Sequence, residues 1–345
     1  MDFETATVTG ATGHLGNVLV RELLRRGKRV RALVLPGDEG RALRGLPVEV
    51  VRGDVTRRDT LPAALRGAEV VFHLAGIVSI SSLHARHVHE VNVGGTGNVI
   101  DACRESGVRR LVYTSSVHAL TEPPPEGVLD ETAGFDPSRA VGAYGQAKAA
   151  ASAAVANAAR RGLDAVLVLP TAVLGPFDYR LSEMGALIRM FARGWLPAVV
   201  DGGYDFVDVR DVARGHVAAA ERGRSGESYL LTGGRLSVRE VMRVLAEEAG
   251  RRAPRVVLPI SVAAGIARLA PAWELLTGRR ALLTPYSIHT IATRFRIRDD
   301  KARQELGFSS MPVVESLRDA WRWMNNDPES PMRRRLPPSR PARAG

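Results

Sequence analysis

Apolar positions in the first half of the chain fall into short runs separated by stretches with helical spacing. Phe3 to Thr9 reads as a buried strand. A glycine turn from Gly10 to Gly16 follows, then a helical stretch from Val18 to Arg26 closed by Gly27. The alternation continues with strands at Lys28 to Leu35 and Val48 to Val51, a helix near Arg57 to Leu65, and a strand at Val70 to Leu74. A long helical segment covers His84 to Glu105, a fifth strand Leu111 to Ser115, a helix Ala143 to Arg161, and a sixth strand Ala165 to Leu169. Strands alternating with helices imply right-handed crossovers and a parallel sheet covered on both faces. The expected fold is α/β, a doubly wound parallel sheet of the Rossmann type.

After Pro170 the pattern loosens. Residues 1–174 read as the Rossmann domain, with a return segment near 205–222, where Phe206 to Val209 is a strand and Val212 to Glu221 a helix. Most of 175–326 reads as a smaller, discontinuous C-terminal domain over the sheet's ligand edge, and 327–345 as a disordered basic tail. The longest apolar stretch, Val262 to Leu276, is interrupted by Arg268 and Pro271 and falls short of the roughly 18 residues a membrane span needs.

Composition narrows the class. Hydrophobic residues make up 45% and charged residues 25%, as in ordinary globular proteins. The single cysteine, Cys103, excludes an internal disulfide and a cysteine metal cage, and together with the absence of a leader pattern it reads as a reduced, cytoplasmic protein. The net charge of +11 suggests nucleic acid at first sight. However, aromatics are only 5% and no basic stripe interleaves with them, so no nucleic-acid partner is expected. Of the 48 basic residues only Lys28, Lys148 and Lys301 are lysine, which makes each lysine informative.

The glycine turn carries the first chemistry. In Thr9-Gly10-Ala11-Thr12-Gly13-His14-Leu15-Gly16, Gly10 allows a tight turn, Gly13 lets backbone approach a pyrophosphate, and Gly16 lets the helix pack close to the sheet. The helix N-terminus offers free N–H groups to phosphate. At the end of the second strand an acid would select the ribose of NAD, and an arginine the 2′-phosphate of NADP. Leu35 stands there and carries neither signal; Arg41 and Arg44 could reach a phosphate that Asp38 and Glu39 would repel. The cofactor reads as NAD(P)(H), with the choice open.

Tyr144-Gly145-Gln146-Ala147-Lys148 places a phenol and an ammonium one helical turn apart on one face. A tyrosine pKa near 10 is too high for acid–base work at neutrality, and a fixed cation beside it would lower it. Thr114-Ser115-Ser116 lies at the end of the fifth strand, where strand C-termini meet the ligand crevice.

Together these pieces resemble the extended short-chain dehydrogenase/reductase family, within the NAD-dependent epimerase/dehydratase superfamily. The resemblance is nearest to its dihydroflavonol reductase-like, hydroxysteroid dehydrogenase-like and hopanoid-associated epimerase branches. Further matching segments are Gly53-Asp54-Val55, His73-Leu74-Ala75-Gly76, Asn92 to Thr96, Leu169-Pro170-Thr171, Gly175-Pro176 and Val209 to Ala213. The resemblance implies that Gly10, Thr12, Gly13, His14, Leu15 and Gly16 hold the pyrophosphate and that Asp54 and Val55 lie at the adenine. It also puts Ala75 and Gly76 along the adenosine side, Asn92 among the cofactor-binding residues, and Pro170 with its neighbours at the nicotinamide. Tyr144 would be the acid/base, Lys148 its activator and a ribose ligand, and Ser116 the catalytic serine, with Ser115 as fallback. The implied activity is NAD(P)-dependent interconversion of a carbonyl and a secondary alcohol; a nucleotide-sugar epimerase or dehydratase and a non-catalytic dinucleotide sensor are the alternatives.

Two departures favour a small, fairly apolar substrate. Gly203-Tyr204-Asp205-Phe206-Val207 lacks the arginine that nucleotide-sugar enzymes usually carry there, and Ala172 stands where many have asparagine. His118, Tyr179 and Tyr204 are candidates for the substrate pocket. His84, His87 and His89 share no helical face as a set, so no metal site is expected. The alanine-rich helix after Tyr144 resembles the one through which this family forms homodimers.

Overall fold

The computed structural model describes residues 1–79, 82–278 and 281–332. The chain runs β1 (Thr5–Thr9), α1 (His14–Arg25), β2 (Arg29–Val34), β3 (Glu49–Arg52), α2 (Leu61–Leu65), β4 (Val70–His73), α3 (Ala85–His89), α4 (Gly95–Glu105) and β5 (Arg110–Thr114). A short β6 (Val128–Leu129) precedes α5 (Gly142–Arg160), β7 (Ala165–Pro170), β8 (Ala172–Leu174), α6 (Glu183–Ala192), β9 (Ala198–Val200) and β10 (Gly203–Asp208). Then come α7 (Val209–Arg222), β11 (Ser228–Leu231), β12 (Gly234–Ser237), α8 (Val238–Ala249) and β13 (Val256–Leu258). The last elements are α9 (Ile260–Ala267), α10 (Ala270–Thr277), α11 (Pro285–Ala292), β14 (Arg296–Ile297) and α12 (Val313–Asn326).

Seven strands form one parallel sheet in the order β11-β7-β5-β4-β1-β2-β3. Val8 of β1 lies between Ala32 and Phe72, so strand order reverses at β1 and opens a crevice beyond the C-terminal ends of β1 and β4. One face of the sheet packs under α1 and α7 through Val18, Leu19, Leu23, Val212 and Val217; the other packs under α2, α4 and α5 through Leu61, Leu65, Val99, Cys103 and Val155. Burial pushes the Cys103 thiol up to about 12, which leaves it unreactive.

Three boundaries differ from the sequence reading. The return to the Rossmann sheet extends past residue 222, because β11 pairs with β7, Tyr229 opposite Val168. The helix expected over His84 to Glu105 is broken by a π-turn at Glu90–Gly94, which swings Asn92 inward to pin the loop after β4. Residues 327–332 are packed, not disordered: Ser330 donates to the Met324 carbonyl at 2.5 Å and Met332 lies against the C-terminal core. The remainder of the expected tail, 333–345, lies outside the described residues.

The smaller module holds a β12-β10-β8 sheet with α6, α8 and α12 around it. The Val209-Arg210-Asp211 segment anchors α12 to it. Asp208 accepts from Ser316 at 2.6 Å and from Arg210 at 2.8 Å, Arg210 also reaches Asp319 at 2.7 Å, and Asp211 accepts the Met311 amide at 2.7 Å.

Two buried histidines tie layers together as neutral rings. His216 donates from Nδ1 to the Val212 carbonyl at 2.8 Å, so its Nε2 accepts from the Thr114 hydroxyl at 2.7 Å. His73 bridges Thr9 at 2.8 Å and Thr96 at 3.1 Å. Burial pushes His73 down to about 3 and His216 down to about 4. The unfolded chain protonates histidine near 6.5, so below that pH it binds protons that the fold does not, and stability present above pH 6.5 is lost as pH falls. The unfolding free energy is therefore expected to drop by about 1.4 kcal/mol per pH unit for each histidine between pH 6.5 and 4. Urea unfolding across this range measures it, and His216→Gln should flatten the slope.

Candidate active site

The glycine turn and the loop after β4 form one edge of the crevice. Gly10 adopts φ +66°, and a Cβ there would come within 2.7 Å of the Ala75 amide nitrogen. A Cβ on Gly16 would strike the Gly10 carbonyl at 2.1 Å, so both positions are fixed by backbone packing. Gly13 differs: it has an ordinary φ of −71°, and an added Cβ would meet only the Gly10 carbonyl, at 3.2 Å. No side chain caps α1 and no acid occupies its first turn. The result is an anion cradle that a side chain would fill, and it fits a dinucleotide pyrophosphate. His14 hydrogen-bonds the Pro176 carbonyl at 2.9 Å, and Leu15 packs on the core.

The remaining expected cofactor positions line the same strand ends. Asp54 closes a turn on Thr56 at 2.9 Å, and the Val55 carbonyl accepts from Asn98 at 2.9 Å. Asn92 grips Ile77 through both its amide and its carbonyl, at 2.8 and 2.9 Å. A Cβ on Gly76 would lie 2.8 Å from Asn92 Oδ1 and 3.6 Å from Lys148 Nζ, which places Lys148 beside this loop. Pro170 is buried at the end of β7.

Ser115 and Ser116 point to different places because successive residues of an extended chain alternate. Ser115 is buried against α5, 2.6 Å from Ser152. Ser116 accepts from the His118 amide at 3.3 Å and lies near enough to Tyr144 to act on its phenol. Burial pushes the Tyr144 phenol up, while the neighbouring Ser116 hydroxyl pulls it the other way. Lys148 is 6% exposed and donates to the Thr114 carbonyl at 2.7 Å and to Tyr113 Oη at 3.4 Å. Burial among these neutral groups pushes its ammonium down to about 7. The expected lowering of the tyrosine by the lysine is thus not the main influence on Tyr144; burial and Ser116 are.

Of the three pocket candidates, His118 meets Tyr144 edge-on with ring centroids 6.4 Å apart, and burial pushes it down to about 4. Tyr204 lies on the same side, its hydroxyl 2.7 Å from Thr290 of α11. Tyr179 sits elsewhere, its ring edge-on to Trp323 at 5.0 Å.

Two features are legible only in three dimensions. Tyr286 on α11 stacks edge-on to His118 at 5.6 Å and presses on Gly142, where a Cβ would come within 2.6 Å of its ring. Thr284-Pro285 marks a helix start in the sequence, but nothing local sends the following tyrosine to the start of α5. Its buried hydroxyl has no hydrogen-bond partner among the described residues. The second feature is Asp38, which accepts from Thr12 at 2.6 Å and pairs with Arg180, joining the glycine turn to the loop before α6.

An unsatisfied buried hydroxyl costs about 1–3 kcal/mol. Tyr286→Phe is therefore expected to raise the thermal midpoint of the ligand-free protein, as scanning calorimetry would show; a lower midpoint would mean that this hydroxyl stabilises the fold.

The NAD dependent epimerase/dehydratase family model matches residues 6–232. Sterol demethylase protein B of Methylococcus capsulatus is 37% identical over 321 residues, 92% of this chain and 98% of that protein. A putative dihydroflavonol 4-reductase of Synechocystis is 32% identical over 323 residues, 92% of this chain and 94% of that protein. The crystal structure of gox2253 superposes with a TM-score of 0.82 at 31% identity, covering 95% of this chain and all of that one. The chain belongs to the NAD-dependent epimerase/dehydratase family and is an enzyme of the extended short-chain dehydrogenase/reductase type.

Proposed function

We propose that this enzyme interconverts a carbonyl and a secondary alcohol on a small, fairly apolar substrate, with Tyr144 as acid/base, Ser116 as oxyanion donor and Lys148 as the cofactor-side cation. Ser116 and Tyr144 both meet His118, Ser116 accepting from its amide at 3.3 Å and Tyr144 facing its ring edge-on, while Ser115 turns away to Ser152; this carries the reading. When bound, the nicotinamide supplies a hydride to the carbonyl carbon or takes one from the alcohol carbon. Tyr144, its phenol kept protonated by burial, gives its proton to the carbonyl oxygen, or recovers it as the alcohol is oxidised. Ser116 donates to the same oxygen as negative charge develops on it.

Lys148 holds the ribose side, and Gly10 to Gly16 with Asp54, Val55, Ala75, Gly76, Asn92 and Pro170 hold the rest of the cofactor. His118, Tyr286 and Tyr204 form the substrate wall. In the Gly203 to Val207 segment, where a nucleotide-sugar enzyme would carry an arginine, Asp205 instead engages Arg235 at 3.0 Å, so that guanidinium is already neutralised. The groove between α4 and α5, lined by Gly94, Gly97 and Ala154, suits helix pairing in a homodimer.

Tyr144→Phe is expected to lower kcat by about 10²–10⁴-fold while NADH affinity stays unchanged. Ser116→Ala is expected to cost about 10²–10³-fold in kcat. Ser115→Ala should instead lower stability by about 1 kcal/mol through the lost Ser152 bond. Near-wild-type turnover in Tyr144→Phe contradicts the mechanism, and a nicotinamide held without exchange or net turnover favours the epimerase reading.

The cofactor is NAD(H) in this reading. The Asp38 carboxylate stands beside Thr12, and the nearby arginines are engaged: Arg41 with Glu39 at 2.5 Å and Arg180 with Asp38. A 2′-phosphate at this place would find a carboxylate and, in Arg41 and Arg180, guanidinium groups already paired, which would disfavour NADP(H). Fluorescence titration should show NADH binding about tenfold or more tighter than NADPH, with the gap narrowed in Asp38→Asn; equal affinities contradict the assignment.

A further inference from the structure

The C-terminal module presents an apolar row that the fold leaves uncovered. α9 buries its small residues, Ala263 and Ala267, against Ile288 and Ile291 of α11. The other face of α9 and α10 carries Val262, Ile266, Leu269, Trp273 and Leu276 at spacings of four, three, four and three residues, all exposed, Leu276 by 87% and Trp273 by 53%. Leu275 beside them is 73% exposed. Single apolar residues on a surface are ordinary, whereas a contiguous row of this kind marks a docking face.

The charge around the row says what it docks on. Arg268 stands exposed within the row and Arg251, Arg252 and Arg255, also exposed, lie just before it in the sequence; Arg252, Arg255 and Arg268 form no ion pair among the described residues. Glu274 is the only acid between residues 251 and 278, and it accepts the Ala281 backbone amide at 2.9 Å. A second copy docked on this face would bring a further set of the same arginines and no acid beyond Glu274 from this segment to balance them. A surface of anionic headgroups over hydrocarbon complements both the row and its charge.

We propose that α9 and α10 form an interfacial docking face for an anionic lipid bilayer, lying in the plane of the surface with Leu269, Trp273 and Leu276 inserted among the acyl chains. No helix among the described residues is long and apolar enough to cross a membrane, so the attachment is peripheral and reversible. α9 packs on α11, the helix that bears Tyr286, so docking brings the substrate side of the molecule towards the lipid phase. The proposal does not depend on the catalytic assignment, and its test uses no turnover.

The test is flotation of the full chain with vesicles of phosphatidylcholine containing about 30% phosphatidylglycerol, against phosphatidylcholine alone, at low and high salt. The expected result is binding to the anionic vesicles only, weakened about tenfold or more by high salt. Leu269→Glu/Leu276→Glu should abolish it without changing NADH affinity, since neither side chain supports the core. Arg252→Glu/Arg255→Glu should weaken it at low salt and leave little salt dependence. Failure of the wild type to float with anionic vesicles overturns the proposal. So does concentration-dependent self-association, measured by light scattering, that the Leu269→Glu/Leu276→Glu variant removes, because the row would then be covered by a second copy.

Discussion

The structure around the site turns on one desolvated charge. Lys148 lies almost fully out of water at the C-terminal edge of the sheet, and every neighbour that holds it is neutral: the Thr114 carbonyl, the Tyr113 hydroxyl and ring, and the loop at Gly76. Removing an ammonium from water without a carboxylate partner is costly, which is why its pKa falls to about 7. The surrounding architecture makes the position unavoidable. α5 sets Lys148 one turn below Tyr144, and Ser152, a turn further on, ties that helix to Ser115 at the end of β5. The neutral His216 bridges Thr114, whose carbonyl receives the ammonium, to α7 on the opposite face of the sheet. Thr114 and Tyr113 take two of the three ammonium N–H donors, and the third is left for a ligand oxygen such as a ribose hydroxyl.

Much of this was legible in the sequence. The alternation of buried strands and amphipathic helices defined the doubly wound sheet, and the glycine turn defined its ligand edge, because both depend on local spacing. The Tyr144–Lys148 pair was readable for the same reason, four residues being one helical turn. The choice of Ser116 over Ser115 rests on resemblance; the fold adds that the two face different ways, Ser115 to Ser152 and Ser116 to the His118 amide.

Less was legible wherever the outcome depends on partners distant in sequence. β11 joins the Rossmann sheet through pairing with β7, a contact of about sixty residues' separation that three apolar residues cannot announce. The π-turn at Asn92 interrupts a segment with good helical spacing, because the side chain is recruited by Ile77. Tyr286 reaches the site across more than 140 residues, and Tyr179, sequentially close to the Gly175-Pro176 loop, is drawn away by Trp323. Leu35 carries no cofactor signal, and the contact of Asp38 with Thr12 of the glycine turn, 26 residues away, is made only by the fold.

The most direct test of the account is the pH dependence of NADH affinity in the wild type and in Lys148→Met. If the buried ammonium holds the ribose, the charged form present below pH 7 binds best, and wild-type affinity falls as pH rises through about 7. The Lys148→Met variant should bind more weakly and show no such change. A wild-type affinity that is flat from pH 6 to 9, or a Lys148→Met variant with the same profile, would contradict the central role given to this charge.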